Sequence, residues 1–178
     1  MDLRVKRTKT SIANAFLELC ASKPPERITV KELAALAGIN KATFYLHYKD
    51  IFELLETLEN YLFERVFDSI EHPNSALSEP KLFIKELVEG FIANKELIDV
   101  IFGSGRRNIL AEKIESEVKR FIFEQYPQYK DNTELNISLT YMIKGCYYAY
   151  AENSEYGSEH VTAVIGEISE GVVGRLER

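Results

Sequence analysis

The chain has 178 residues, 46% hydrophobic and 28% charged, proportions that exclude disordered, collagen-like and purely coiled-coil chains and allow a buried core without staples. No run nears the roughly 18 apolar residues of a membrane span, and MDLRVKRTKT at the N-terminus has no signal-peptide core, so a cytoplasmic protein with no membrane association is expected. The net charge of −6 divides into +4 over residues 1–50 and −10 over residues 51–178, a basic head suited to phosphates on an acidic body that avoids them. Cys20 and Cys146 have no CxxC spacing, which fits a reducing compartment and argues against a thiolate metal site.

Val/Ile/Thr runs alternating with period two are missing, whereas i, i+3, i+4 apolar spacing recurs throughout, so an all-α fold is expected. The first helix is read over about 5–21, with Ile12, Phe16, Leu19 and Cys20 on one stripe and Arg4, Lys6, Arg7 and Lys9 crowded at its start. Ser22-Lys23-Pro24-Pro25 ends it. Thr29-Val30-Lys31-Glu32 has capping-box spacing: the Thr29 hydroxyl accepts from the Glu32 amide and the Glu32 carboxylate from the Thr29 amide, with Ile28 and Leu33 as a hydrophobic staple. Gly38 supplies a left-handed stop after Ala37, and Asn40 caps a third helix, where Ile39 and Phe44 repeat the staple. A basic helix followed by two short helices joined through a Gly-containing turn is the layout of a helix-turn-helix. Asp50, with Glu53 three residues on, opens a fourth helix running to about 70, whose Leu54, Leu55, Leu58 and Leu62 join head to body.

His72-Pro73-Asn74-Ser75 breaks that helix. Ser78-Glu79-Pro80 starts the next, followed by helices over about 96–102 and 108–125. Asp131-Asn132-Thr133-Glu134 caps a longer one, and Asn153 to Gly157 turns the chain into the last. Gly166, Gly171 and Gly174 lie inside that last helix, where each costs roughly 1 kcal/mol of propensity and points to a close backbone approach.

The run Thr29-Val30-Lys31-Glu32-Leu33-Ala34-x-x-Ala37-Gly38-Ile39-Asn40-Lys41-x-Thr43-Phe44-Tyr45-x-His47-Tyr48-Lys49 resembles the N-terminal signature of the tetracycline-repressor (TetR/AcrR) family of bacterial transcriptional regulators. The resemblance covers residues 5 to about 65, and the short remainder is similar to that of smaller Firmicutes-type members. It implies a three-helix DNA-binding domain over 1–50 with its reading motif at 29–48, and a connecting helix plus helical effector-binding and dimerisation domain over 51–178. The implied function is a ligand-responsive repressor, not an enzyme, acting as a homodimer on a palindromic operator. An activator, or an adaptor for a protein partner with weakened DNA affinity, is the alternative. In one departure, Ile51 stands where members often carry a phosphate-contacting lysine, with Lys49 nearby to compensate.

On this reading the third helix enters the major groove of double-stranded DNA, and Lys41 at its start donates to guanine O6 or N7, with Thr43 on the exposed side of the same turn. Tyr45 and His47 resemble the family's phosphate-contacting pair, with Lys49 beside them. Thr29 offers a hydroxyl and local amides to a phosphate, and Arg4, Lys6 and Arg7 are read as a flexible arm adding phosphate contact. A small apolar or aromatic effector is expected in a pocket lined by Phe83, Phe91, Phe102, Phe121, Tyr141 and Tyr148. The dimer is expected through the last two helices, by Leu139, Met142, Gly145, Cys146, Val161, Ile165, Gly166, Ile168 and Val172. His47, His72 and His160 lack metal-ligand spacing, no Gly-rich phosphate loop occurs, and no cofactor is expected. Gly103-Ser104-Gly105, followed by Arg106-Arg107, comes nearest to an anion site and is read as a helix–helix turn.

Overall fold

The computed structural model describes residues 3–103 and 105–176, with side chains up to 174; Ser104 of the Gly-Ser-Gly turn lies outside the described residues. The fold is all-α, without a strand among the described residues. The ten α-helices among the described residues are α1 (Leu3–Cys20), α2 (Val30–Leu36), α3 (Lys41–Tyr45), α4 (Ile51–Asp68), α5 (Ser75–Ser78), α6 (Pro80–Ala93), α7 (Lys95–Phe102), α8 (Arg107–Gln125), α9 (Thr133–Asn153) and α10 (Ser158–Leu176). The four-residue α5 lies where the sequence suggests only a break: Ser75 Oγ donates to the His72 carbonyl at 2.6 Å and starts a single turn after Pro73.

The chain divides into two compact units, residues 1–64 with 95–105, and residues 65–94 with 106–178. In the first, α1 packs on α2 and α7, and α2 packs on α3. Ile12, Phe16, Leu33, Phe44, Leu54, Leu62 and Ile101 form its fully buried centre. Phe44, pointing inward from the five-residue α3, ties that short helix to this core by burying an aromatic ring, which α3 is too short to replace by its own hydrogen bonds. The segment 95–105, far along the chain, is held here through Ile101 and Phe102.

In the second unit α10 packs against both α6 and α9, and α8 packs against α9. Ile84, Val161 and Ile165 form a buried cluster, with Val88, Cys146, Ala149 and Tyr150 against it. Gly166 makes the α6 crossing possible, because a Cβ there would stand 3.3 Å from the Lys81 Cα and 2.8 Å from its Cγ. The close approach expected from glycines in α10 is therefore met once, and by a helix of the same chain; Gly171 and Gly174 have open space beside them.

Candidate nucleic-acid interface

Three caps fix where α2, α3 and α4 begin. At α2 the Thr29 hydroxyl accepts from the Glu32 amide at 3.3 Å, while the Glu32 carboxylate accepts from the Thr29 amide at 3.1 Å and hydroxyl at 2.8 Å. Lys23 Nζ, 2.7 Å from the same carboxylate, and these Thr29 bonds hold the Glu32 carboxyl at about 2, well below its usual range. At α3 Asn40 Oδ1 accepts from the Thr43 amide at 2.7 Å, and at α4 Asp50 Oδ1 accepts from the Glu53 amide at 2.9 Å. Between α2 and α3 the chain turns on Gly38 at φ +68°, with Ile39 N donating to the Ala34 carbonyl at 2.9 Å and Gly38 N to Ala35 at 3.3 Å. That pair of bonds closes a helix with a left-handed residue, which glycine adopts without a Cβ clash.

The cap at Asn40 sets the register of α3. Phe44 and Tyr48 turn inward, and Lys41, Ala42, Tyr45 and Leu46 turn outward. The Tyr45 ring stands edge-on to Phe44 at 5.5 Å, so the core steadies a side chain whose phenol faces solvent. Lys9 Nζ sits 5.7 Å over the Tyr48 ring, bringing the basic first helix to the residues that follow α3. Ser11 Oγ, donating to the Ala37 carbonyl at 2.8 Å, ties α1 to the turn itself.

Of the residues expected to meet DNA, Lys41, Tyr45 and Lys49 are exposed on or just after α3, and His47 is half-buried. Thr43 is half-buried and engaged, its hydroxyl donating to Asn40 Oδ1 at 3.0 Å, so its first role is in the cap. Thr29 is likewise committed to Glu32. Arg4, Lys6 and Arg7 are exposed but are not a flexible arm: they lie within α1, where the Thr8 and Thr10 hydroxyls donate back to the Arg4 and Lys6 carbonyls at 3.0 Å. Ile51 is buried, so its apolar side chain serves the core at the start of α4. Ala42 and Leu46, which polar chemistry does not single out, are exposed with the same four-residue spacing as the inward Phe44 and Tyr48.

Of the residues expected to line an effector pocket, Phe83 and Phe121 meet, but as packed rings and not around a cavity. Phe121 stacks on Phe67 at 4.7 Å and on Phe83 at 5.9 Å, a filled aromatic cluster, and Phe91 is half-buried on α6. Phe102 is buried in the first unit, while Tyr141 and Tyr148 are exposed on α9. The second unit instead carries a groove of about 990 Å³ along α6 and α10, bordered by Leu82, Val88, Ile92, Thr162 and Val173. Of the residues expected at a dimer interface, Leu139, Val161 and Ile165 are core of the single chain, and Cys146 Sγ lies 3.5 Å from Ser169 Oγ. Met142 and Val172 are half-buried, and Gly166 faces Lys81. Ile168 and Gly145 are exposed, and beside them Ile137, Tyr141, Tyr148 and Val164 leave an apolar face open on α9 and α10.

The fold also gathers groups that spacing in the sequence does not. Glu71, His72 and Glu86 bring possible metal-ligand atoms within 4.8 Å of one another. Glu86 accepts from the His72 backbone amide at 3.0 Å and pairs with its Nδ1 at 2.6 Å, which raises the imidazole's pKa and clamps the loop after α4 onto α6.

Residues 12–58 match the family described as bacterial regulatory proteins, tetR family. The match spans 47 of the 178 residues. A protein named uncharacterized HTH-type transcriptional regulator YxbF, from Bacillus subtilis, is 33% identical over 87 residues, which are 48% of this chain and 22% of the relative. The chain thus spans under a quarter of that relative's length. The nucleoid occlusion factor SlmA of Idiomarina loihiensis is 25% identical over 134 residues, 67% of this chain and 68% of that protein. The SlmA of Alteromonas mediterranea is 27% identical over 138 residues, 68% and 70%. The matched segment contains the whole of α2 and α3 and their caps, and it ends inside α4.

Proposed function

We propose that this protein is a DNA-binding transcriptional regulator that acts as a homodimer, commonly as a repressor. The observation that carries the reading is the outer face of α3, where Lys41 and Tyr45 stand exposed on a helix held from behind by Phe44 and fixed in register by Asn40. A capped helix of this kind fits the major groove, with its first residues nearest the base edges. One such head buries too little surface for tight specific binding, so two copies must be held at a fixed separation. The exposed face of Ile137, Tyr141, Tyr148, Val164 and Ile168 offers the apolar surface for that pairing. Domain division, effector binding in the C-terminal half and a cytoplasmic location belong to the same proposal. The groove along α6 and α10 is the favoured place for an effector.

The test is selection of duplexes from a random-sequence library by the full chain, followed by gel shift and sedimentation. An enriched palindrome, weakened by Lys41→Ala for its own sequence and by Tyr45→Phe for all sequences alike, supports the reading. Ile168→Glu is expected to yield monomers that bind poorly. A second reading, an adaptor for a protein partner, is favoured by the net charge of −10 over residues 51–178 and by relatives named nucleoid occlusion factor. DNA binding indifferent to salt and sequence would turn the balance to it.

A further inference from the structure

The outer face of α3 has two rows, and only one of them can hydrogen-bond through its side chains. Lys41 and Tyr45 stand one turn apart and carry an ammonium and a phenol; Ala42 and Leu46 stand one turn apart beside them and carry only carbon. Leu46 is 81% exposed, the most exposed large apolar side chain among the described residues. It is not a frayed end: its amide donates to the Ala42 carbonyl at 3.2 Å, and its φ of −71° and ψ of −17° continue the helix. The two side chains therefore share a face, their Cβ atoms about 5–6 Å apart. A leucine held in water on the surface that meets the ligand loses by its exposure unless the ligand covers it with carbon. In the major groove the carbon surface that distinguishes one base pair from another is the thymine 5-methyl group. With base pairs about 3.4 Å apart, a strip about 5–6 Å long reaches methyls on neighbouring or next-neighbouring pairs.

We propose that Ala42 and Leu46 form an apolar strip on α3 that reads thymine 5-methyl groups, so that sequence preference rests on carbon contacts beside the polar ones of Lys41. This inference rests on the DNA-binding reading above. Lys41 chooses among acceptors, and the strip adds discrimination of thymine from cytosine, whose C5 bears only hydrogen at the same place.

The experiment uses the full chain and the duplex it selects from a random-sequence library, with each thymine replaced singly by deoxyuridine, which removes the methyl and keeps the base pair. For the natural chain, one replacement in each half is expected to weaken binding about fourfold, and the two together about fifteenfold. Leu46→Ala weakens binding to the thymine duplex to a similar degree and is then indifferent to deoxyuridine at that position. Lys41→Ala weakens binding yet keeps the deoxyuridine response. Circular dichroism of Leu46→Ala matching the natural chain keeps misfolding out of the comparison. A selected duplex that binds tightly but ignores every deoxyuridine replacement overturns the strip and leaves the DNA-binding reading standing. A deoxyuridine response unchanged in both Leu46→Ala and Ala42→Ser also overturns it. If no duplex is enriched or bound, the DNA-binding reading fails and the strip fails with it.

Discussion

The caps around α3 pair a side chain with an amide within one turn of chain, whereas several ties between helices of the C-terminal unit join residues far apart in sequence. Thr29 with Glu32, Asn40 with Thr43 and Asp50 with Glu53 are all three residues apart. His72 with Glu86, Glu115 with Lys144, Tyr147 with Arg107 and Tyr126 with Asn74 are separated by 14 to 52 positions. A cap made by neighbours in sequence fixes the start of α3 locally, and Phe44 then seats the helix on the core of its unit. A unit tied by distant partners has its shape set by which helices meet.

The largest effect that sharpens this contrast is expected in the cores. Phe44→Ala removes a fully buried ring behind α3 and should cost about 3–5 kcal/mol. Hydrogen exchange should show protection lost in α1 to α3 with α8 to α10 still protected; equal loss in both would mean that the two units unfold as one. Next, Gly166→Leu should cost about 1–3 kcal/mol by forcing α6 away at Lys81, whereas Gly171→Ala, with open space beside it, should be neutral or stabilise by up to about 1 kcal/mol in urea titration. Similar losses at both positions would break the distinction between a packed and an open glycine in α10. Smaller again, Thr29→Ala should cost about 1 kcal/mol through loss of the α2 cap, and Asn40→Ala about as much at α3.

The smallest effects concern pH. The Glu115 carboxyl is held at about 2 by bonds from Thr140, Lys144 and Lys119, as Glu32 is held at about 2 by Lys23 and Thr29, both below the ordinary 4.5. The folded state then binds fewer protons than the unfolded one, so each group's stabilisation is present above about pH 4.5 and is lost as the pH falls toward 2. Glu32, 46% exposed, should lose much of its contribution in molar salt, and Glu115, 18% exposed, should keep more. Acid titrations of Glu32→Gln and Glu115→Gln at low and high salt measure this, and an identical salt response in the two would remove the difference between local and distant partners.

The head was legible because a cap needs a side-chain oxygen and an amide three residues apart, a pattern a linear reading can see. Thr29, Asn40, Asp50 and Gly38 acted where they were read. The outer face of α3 was only half legible: Lys41 and Tyr45 stand out by their polar chemistry, while Ala42 and Leu46 look like core until the burial of Phe44 and Tyr48 shows which way α3 turns. Arg4, Lys6 and Arg7 looked like an arm, since charge crowding carries no sign of the helical carbonyls that Thr8 and Thr10 bond.

In the body, the long helices and their starts follow from local sequence, down to Asn132 accepting from the Leu135 amide at 2.9 Å to open α9, while the single turn of α5 does not. Which face of each helix is covered follows from how the helices meet. Leu135 and Leu139 on one side of α9, and Ile137 and Tyr141 on the other, are apolar at the same helical spacing, and periodicity has no means of choosing between them. The choice falls to contacts between α10, α9 and α6, where a missing Cβ at Gly166 lets Lys81 approach from 85 residues away. Burial depends on which distant surfaces meet, whereas a helix end depends on atoms within one turn of each other.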